Sequence, residues 1–271
     1  MMKSLDWQSE EIVNIYDDVS LWSAPFGKML LENIPMRNIK KVLDLGFGTG
    51  FPIIELAQCF GKKTAIIGIE VWQQAILRTR EKIRLLGLTN IQIIEQSAAQ
   101  FKLPKNSIDL VCSNLGVNNF ENKALVYKKV FGVLKPTGSF CFTTNDNNTF
   151  QELFNLFEIV LDEMGIDKTA FNTYINHRST AKRISTEIER FGFKQTVLIK
   201  NETHYRFADS EAVFNHSLVR IAFAESWKNL VPQNRFSAFI LRVRQLIADI
   251  IKSRSEFRVT VPMLYFQFDK T

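Results

Sequence analysis

The chain has 271 residues, of which 46% are hydrophobic and 23% are charged, a balance typical of a folded globular protein rather than a disordered or fibrous one. Lys and Arg number 34 against 28 Asp and Glu, and the resulting net charge of +6 permits contact with nucleic acid or a membrane surface without requiring it. The 3 cysteines form no CxxC pair and no apolar stretch is long enough for a membrane span, so we expect a cytoplasmic chain without a disulfide framework or a metal site.

Short apolar runs alternate with segments of helical period from residue 41 to about residue 192. This alternation indicates βαβ units and a mostly parallel, Rossmann-like sheet. The predicted strands are residues 42–45, 64–69, 91–94, 108–112, 139–143, 194–199 and 257–268. One predicted helix follows the glycine-rich turn and ends at Phe60. The other predicted helices are residues 72–86, 125–134, 149–164 and 179–191. A further helical stretch, residues 208–252, is predicted as an insertion between the sixth and seventh strands.

Proline and burial patterns refine these predicted strands. Strands 91–94 and 108–112 are apolar enough to be covered on both faces. Pro136 and Gly138 are expected to separate a helix from the fifth strand. Pro262 has no backbone N–H, so the seventh strand is expected to begin after it or to bulge there.

Three alternating glycines follow the first predicted strand directly, in the sequence DLGFGTG at residues 44–50. Glycines between a strand and a helix let an anionic ligand approach free backbone amides. The third glycine, Gly50, comes one residue too early for the G-x-G-x-x-G dinucleotide pattern, which disfavours a nicotinamide cofactor. Glu70 ends the second predicted strand, where a carboxylate can accept hydrogen bonds from ribose hydroxyls.

With these residues the sequence resembles the class I S-adenosylmethionine-dependent methyltransferases, over about residues 38–144 and more loosely to the end. DLGFGTG matches that family's first motif and Glu70 its acidic second-strand residue. Residues 109–114 (DLVCSN) and 134–138 (LKPTG) resemble its later motifs. Ser97 and Ala98 fall where the family places an adenine-contacting pair, although the family often carries Asp where Ser97 stands. The resemblance implies an α/β fold with a seven-stranded, mostly parallel sheet whose last strand is antiparallel, and S-adenosylmethionine as the cofactor.

Two further segments resemble the UbiE-like, type 11 small-molecule group of that family. The aromatic segment 15–26 looks like its N-terminal flap, and the insertion 208–252 looks like its helical lid. We therefore expect a flap at residues 1–37 and a methyltransferase domain at residues 38–271. For any single aromatic residue in these segments, a place in the core is the better alternative.

The acceptor is less strongly indicated. Residues 114–117 read NLGV, without the Pro-Pro-aromatic pattern of methyltransferases that act on bases or amides, and this disfavours a nucleic-acid partner. Basic residues in the insertion are interleaved with apolar ones, which favours a solvated helix face over a phosphate-binding surface. Among the histidines, His177, His204 and His216, we single out His216 as a base or substrate anchor.

The sequence therefore predicts an S-adenosylmethionine-dependent methyltransferase that acts on a small, hydrophobic acceptor at oxygen or carbon. The alternatives are an RNA methyltransferase and a catalytically silent cofactor-binding protein. The predicted cofactor-binding residues are Tyr16, Trp22, Asp44, Gly46, Phe47, Gly48, Thr49, Gly50, Glu70, Val71, Ser97, Ala98 and Asn114. The catalytic candidates are His216 and Asn118, and the candidates for the acceptor pocket are Asn119, Phe214 and Trp227.

Overall fold

The computed structural model describes residues 9–18, 20–176 and 179–271. Residues 1–8 and 19 of the predicted flap, and His177, lie outside this description. The described chain divides into two compact units. The sheet unit comprises the described residues of Asp6–Thr144, Ala181–Lys200 and Met263–Thr271. The helical unit comprises the described residues of Asn145–Thr180 and Asn201–Pro262.

Seven strands of the described residues form one sheet in the order β3-β2-β1-β4-β5-β7-β6, mostly parallel with an antiparallel last strand, as predicted. The strands are β1 (Lys41–Leu45), β2 (Ala65–Glu70), β3 (Ile91–Glu95), β4 (Ile108–Asn114), β5 (Leu134–Asn145), β6 (Phe193–Phe207) and β7 (Phe257–Lys270). In the parallel pairing of β1 with β2, Leu45 lies opposite Ile69, so the glycine loop begins beside the carboxyl end of β2.

Helices connect these strands. They are α1 (Glu10–Asp18), α2 (Ser20–Asn33), α3 (Ile53–Phe60), α4 (Gln73–Leu85), α5 (Lys123–Val133), α6 (Gln151–Glu163), α7 (Thr169–Ile175), α8 (Ala181–Glu189), α9 (Ser210–Asn215), α10 (Ser217–Ala222), α11 (Ala224–Trp227) and α12 (Phe236–Arg254). The helix predicted to end at Phe60 does so, with Gly61 as its C-cap at φ +73°. The stretch predicted as a helical insertion contains α9 to α12.

Three details of the strand predictions are wrong. β3 is an edge strand and is only partly buried, because apolar residues alone do not show which strand ends the sheet. β5 begins at Leu134 and includes Pro136, which lies in a register irregularity where the ladder to β4 is interrupted. β7 begins at Phe257 and runs through Pro262, so it does not begin after that residue, whereas a bulge at Pro262 stays a prediction.

Aromatic rings fill much of the sheet unit's core. Phe142 stacks on Phe266 and Phe268 with ring centroids 5.1 and 6.0 Å apart, and Phe140 lies 4.9 Å from Phe142. All four rings are essentially inaccessible to solvent. Burial of each such side chain stabilises the fold by roughly 1.5–3 kcal/mol, and the packing fixes β5 beside β7.

Candidate cofactor site

The loop after β1 combines an open backbone surface with tight packing. Gly46 N donates to Ile69 O over 2.8 Å, which holds the loop against β2. Gly48 has a φ of +53°, and no heavy atom lies within 4 Å of the position of a Cβ there, so this part of the backbone is accessible to a ligand. Gly50 has a φ of +112°, and a Cβ there would lie 2.9 Å from Ile54 Cδ1.

The glycine loop is held in place by the core on one side and by α4 on the other. Phe47 is fully buried and belongs to the core, so only its backbone is available to a ligand. Two loop carbonyls are held by α4, because Thr79 Oγ1 donates to Gly48 O over 3.1 Å and Lys82 Nζ donates to Thr49 O over 2.9 Å. The loop is therefore fixed from the α4 side.

Glu70 lies at the end of β2 and contacts the glycine loop directly. Its Oε2 accepts a hydrogen bond from Gly48 N at 2.9 Å, and its Oε1 accepts from Val71 N at 2.7 Å and Trp72 N at 3.0 Å. A carboxylate oxygen can accept two hydrogen bonds, so Oε2 retains capacity for a ligand hydroxyl. The Val71 side chain beside it is exposed.

Asp44 is fully buried at the end of β1, and neither carboxylate oxygen has a hydrogen-bond partner among the described residues. Burial raises the pKa of this carboxyl well above its usual range, and the nearby charge of Glu70 raises it further. A buried acid without a partner stabilises a bound cation or hydrogen-bond donor, because such a group restores the interactions lost on leaving water.

The two N-terminal helices, α1 and α2, pack on the sheet unit near the site, α1 against α4 and α2 against β4. The Tyr16 ring meets Trp72 edge-on at 5.2 Å, and the pKa of Tyr16 is raised first by burial and then by the charge of Glu70. Trp22 packs on Phe26 within α2, with ring centroids 5.7 Å apart. The predicted flap thus places Tyr16 beside the carboxylate that is predicted to bind the cofactor.

Asp17 is a site residue that the sequence analysis missed. Its carboxylate pairs with Arg78 at 3.0 Å and with Lys82 at 2.6 Å, both on α4. Burial alone would raise the pKa of Asp17, but hydrogen bonds from Lys82, Thr49 and Arg78 outweigh it and hold the pKa below its usual range. A signal was present, since Arg78 and Lys82 are like charges four residues apart on one helix face and such a pair favours an acidic partner.

The residues after β4 form a tight turn over the end of β1. Asn114 Nδ2 donates to Ser23 O in α2 over 3.1 Å, and its Oδ1 accepts from Thr143 Oγ1 over 2.7 Å. Leu115 has a φ of +62°, and a Cβ on Gly116 would lie 2.6 Å from Leu45 O. Asn114 therefore joins α2 to β5, and its direct contact with a cofactor stays a prediction.

The other predicted polar residues occupy turns. Asn118 Oδ1 accepts from Thr144 Oγ1, which fixes its side chain beside the end of β5, whereas Asn119 is exposed. Ser97 Oγ accepts from Ala99 N over 3.2 Å in the turn after β3, and Ala98 packs against the core. Their contacts with ligands stay predictions.

The acceptor candidates Phe214 and Trp227 lie in the helical unit. Trp227 is 1% exposed and packs among aromatic rings, including Phe157 at 5.2 Å, and its Nε1 donates to Tyr174 OH over 3.1 Å. Phe214, 7% exposed, lies 6.3 Å from Trp227. Both therefore contribute to the aromatic core of this unit.

His216 lies at the start of α10 in the same unit. Its Nδ1 accepts from Leu218 N at 3.3 Å, so the proton of the neutral ring is assigned to Nε2. Burial lowers the pKa of His216 and favours this neutral form. The Tyr205 ring meets His216 edge-on at 5.4 Å, and the Tyr205 hydroxyl is buried without a hydrogen-bond partner among the described residues.

Most basic residues of the insertion are paired within the helical unit. The ion pairs are Lys228 with Glu225, Arg242 with Glu163, Arg244 with Glu211, and Lys252 with Asp249. Arg235 donates to Met164 O over 2.7 Å. These contacts occupy the basic groups within the unit, and their interpretation as a solvated helix face stays a prediction.

Within the described ranges, no group of His, Cys, Asp or Glu side chains is arranged to hold a metal ion. The helices described here likewise include none with the length and apolar character to cross a membrane.

A parallel α/β sheet with a glycine loop after β1 and a carboxylate at the end of β2 defines a protein built to bind a nucleotide-containing cofactor. Residues 37–192 match the family described as "Methyltransferase domain". Because this match covers more than half of the chain, the protein belongs to that family.

Relatives carry related names. The chain is 28% identical over 124 residues to the demethylmenaquinone methyltransferase of Geobacillus stearothermophilus, covering 45% of this chain and 53% of that protein. It is 30% identical over 121 residues to the ubiquinone/menaquinone biosynthesis C-methyltransferase UbiE of Wigglesworthia glossinidia brevipalpis, covering 44% and 48% respectively. The chain thus spans about half the length of these curated relatives.

Solved structures share the fold. The YcgJ protein of Bacillus subtilis matches with a TM-score of 0.59 and 13% identity over 91% of this chain and 98% of that one. A SAM-dependent methyltransferase of Aquifex aeolicus matches with a TM-score of 0.55 and 17% identity over 70% and 92%. At these identities the likeness concerns the fold alone.

Proposed function

We propose that this protein is an S-adenosylmethionine-dependent methyltransferase whose acceptor is a small, hydrophobic, aromatic or quinone-type molecule. The observation that carries the proposal is the arrangement, at the carboxyl ends of β1 and β2, of an open glycine loop, the Glu70 carboxylate and the Asp44 carboxyl, which has no hydrogen-bond partner among the described residues. Membership of the methyltransferase domain family supports the same reaction class.

The residues at this edge fit the cofactor's chemistry. Glu70 is held by three backbone donors and keeps acceptor capacity at Oε2 for a ribose hydroxyl. Asp44 has no hydrogen-bond partner among the described residues, and S-adenosylmethionine carries an ammonium and a sulfonium, either of which would stabilise the ionised carboxylate. Gly48 leaves room for the ligand against the loop.

Positioning would supply much of the catalysis. When bound, S-adenosylmethionine would supply an electrophilic methyl group carried on a positively charged sulfur. The chain's task is to hold the cofactor in line with the acceptor and to exclude water, and good orientation alone can lower a barrier by roughly 7–11 kcal/mol. Tyr16 and Trp72 contribute apolar surface to this exclusion.

We assign acceptor recognition to side chains of the helical unit. The relatives' names refer to demethylmenaquinone and to quinone C-methylation, which favours a ring acceptor and transfer to carbon. His216 is proposed as an anchor rather than a base, because Nδ1 already accepts a hydrogen bond and Nε2 therefore donates. Tyr205 offers a second donor. Asn118 and Asn119 remain proposed polar contacts.

Binding and transfer experiments test this function. Calorimetric titration with S-adenosylmethionine, S-adenosylhomocysteine and NAD should show binding of the first two only. Incubation with methyl-labelled donor and a prenylated naphthoquinol should then label the naphthoquinol. Failure of both sulfur nucleosides to bind would refute the proposal.

Two further arms address the alternatives. Label transferred to total RNA instead of the quinol would establish the RNA alternative, and its salt dependence would reveal phosphate contacts. Binding without transfer to the quinol, to RNA or to a metabolite extract would establish the silent cofactor-binding protein.

A further inference from the structure

We propose that Asp17 is a positioning residue of the cofactor site, whose carboxylate latches α1 to α4 and to the glycine loop. The latch consists of Asp17, Arg78, Lys82 and Thr49. This inference rests on the proposed function, because it concerns the binding of S-adenosylmethionine.

The contacts connect three elements through one carboxylate. Asp17 Oδ2 accepts from Arg78 Nε at 3.0 Å and Oδ1 accepts from Lys82 Nζ at 2.6 Å. The same Lys82 ammonium donates to Thr49 O in the glycine loop at 2.9 Å, and the Thr49 hydroxyl also bonds Asp17. The Asp17 side chain is 17% exposed and that of Arg78 is 37% exposed, so these pairs are stronger than ordinary surface pairs but remain sensitive to salt.

Neither helix alone favours these charges. Asp17 lies in the last turn of α1, where the helix dipole disfavours a carboxylate. Arg78 and Lys82 repel each other at four-residue spacing on α4. Arg78 also pairs with Glu81 within α4, but the pairs of Arg78 and Lys82 with Asp17 form only when the two helices meet, so those pairs are specific to the docked position of α1.

Docking of α1 has a consequence for the cofactor. Tyr16, next to Asp17, packs on Trp72 and lies near the Glu70 carboxylate. The latch therefore contacts both parts of the proposed cofactor site. It holds the glycine loop through Thr49 and, through Tyr16, it lies next to Glu70. Loss of the latch should release α1 and weaken cofactor binding.

The test compares Asp17→Asn with Glu81→Gln. Glu81 pairs with the same Arg78 at 2.9 Å on an exposed side of α4, and this ion pair lies within one helix, so Glu81 is the matched control. Hydrogen exchange of α1 is measured in the ligand-free full chain, and S-adenosylmethionine affinity by calorimetry. D17N should accelerate exchange in α1 and weaken affinity, each by about tenfold, whereas E81Q should change either by less than about twofold.

Further measurements separate the latch from general stability. Asp17→Glu keeps the charge and should restore most of the affinity. In the wild type, exchange in α1 should rise between about 50 mM and about 500 mM NaCl, and in D17N it should not. If D17N does not fold, wild-type exchange that is insensitive to salt overturns the latch.

The two proposals fail in different ways. If the wild type binds no S-adenosylmethionine, the proposed function fails, and exchange in the ligand-free chain still decides whether α1 is latched. If the wild type binds it and D17N behaves like E81Q in exchange and affinity, the latch is overturned and the proposed function stands.

Discussion

Replacement of Asp44 by Asn should change the pH dependence of stability in a defined direction. Asn is nearly isosteric with a protonated carboxyl and does not titrate. Asp44 is fully buried without a partner among the described residues, and burial followed by the charge of Glu70 raises its pKa well above the usual 3.8. The native state therefore holds this proton at pH values where the unfolded chain has lost it.

The size of the effect follows from proton linkage. Between the unfolded pKa and the raised folded pKa, the native state binds one more proton at Asp44 than the unfolded state. Stability from this site is thus fully present below about pH 4 and falls with rising pH, by up to about 1.4 kcal/mol per pH unit, until the folded pKa is passed. D44N lacks this contribution, so its free energy of unfolding should increase relative to that of the wild type as pH rises.

Urea unfolding followed by circular dichroism, at about pH 5, 6 and 7, measures both free energies of unfolding. The difference between D44N and the wild type should shift towards D44N by about 1 kcal/mol or more over this range. Parallel stability curves would refute the assignment of an unpartnered carboxyl.

Asp109→Asn should change the pH dependence of stability in the opposite direction. Burial alone would raise the pKa of Asp109, but hydrogen bonds from Lys135 and from the backbone of Lys40 and Lys41 outweigh it and lower the pKa. Its stabilisation is present above the unfolded pKa and is lost as pH falls through the folded pKa. The wild type should therefore exceed D109N in stability at neutral pH and lose that advantage in acid.

Three other substitutions, one of them with a matched control, test the remaining contacts. Glu70→Ala should weaken S-adenosylmethionine binding by about 1–3 kcal/mol in calorimetry, and unchanged affinity would remove Glu70 from the site. Gly116→Ala should lower the free energy of unfolding by about 1–3 kcal/mol, because a Cβ at this position would lie 2.6 Å from Leu45 O. The control is Gly132→Ala in α5, where a Cβ would meet no atom of another part of the described chain within 4 Å, so this change should be neutral or stabilising. Equal effects of the two substitutions would contradict the close approach at Gly116. His216→Phe should raise the KM for the acceptor at unchanged cofactor affinity, and an unchanged KM would exclude the anchor.

The elements around the cofactor were predictable because local and tertiary signals agree there. β1, the glycine loop and the end of α3 at Phe60 depend on apolar runs, on glycine and on a C-cap, all of which are local patterns. β3 was predicted as fully buried because apolar content does not reveal sheet order. The course of β5 through Pro136 depends on a register irregularity that only pairing with β4 creates.

Side-chain roles were less predictable because they depend on neighbours distant in sequence. Glu70 was identified as a candidate from its place at the end of a strand, but its hydrogen bond from Gly48 N joins residues 22 positions apart and depends on how the glycine loop packs. Asp17 is separated from Arg78 by 61 residues. Trp227 was assigned to a pocket from its residue type, and its burial against Phe157 depends on how α6 and α11 pack.

Three carboxyl groups near the glycine loop show how such neighbours assign chemistry. Glu70 is held by three backbone N–H groups, and Asp17 by two cations and a hydroxyl. Asp44 alone of these three has no hydrogen-bond partner among the described residues. Since Asp17 is already neutralised and Glu70 is fixed by amides, a cationic ligand at this edge gains most from Asp44. The environment of each acid, rather than its residue type, thus supports the proposed roles of anchoring for Glu70, latching for Asp17 and charge recognition for Asp44.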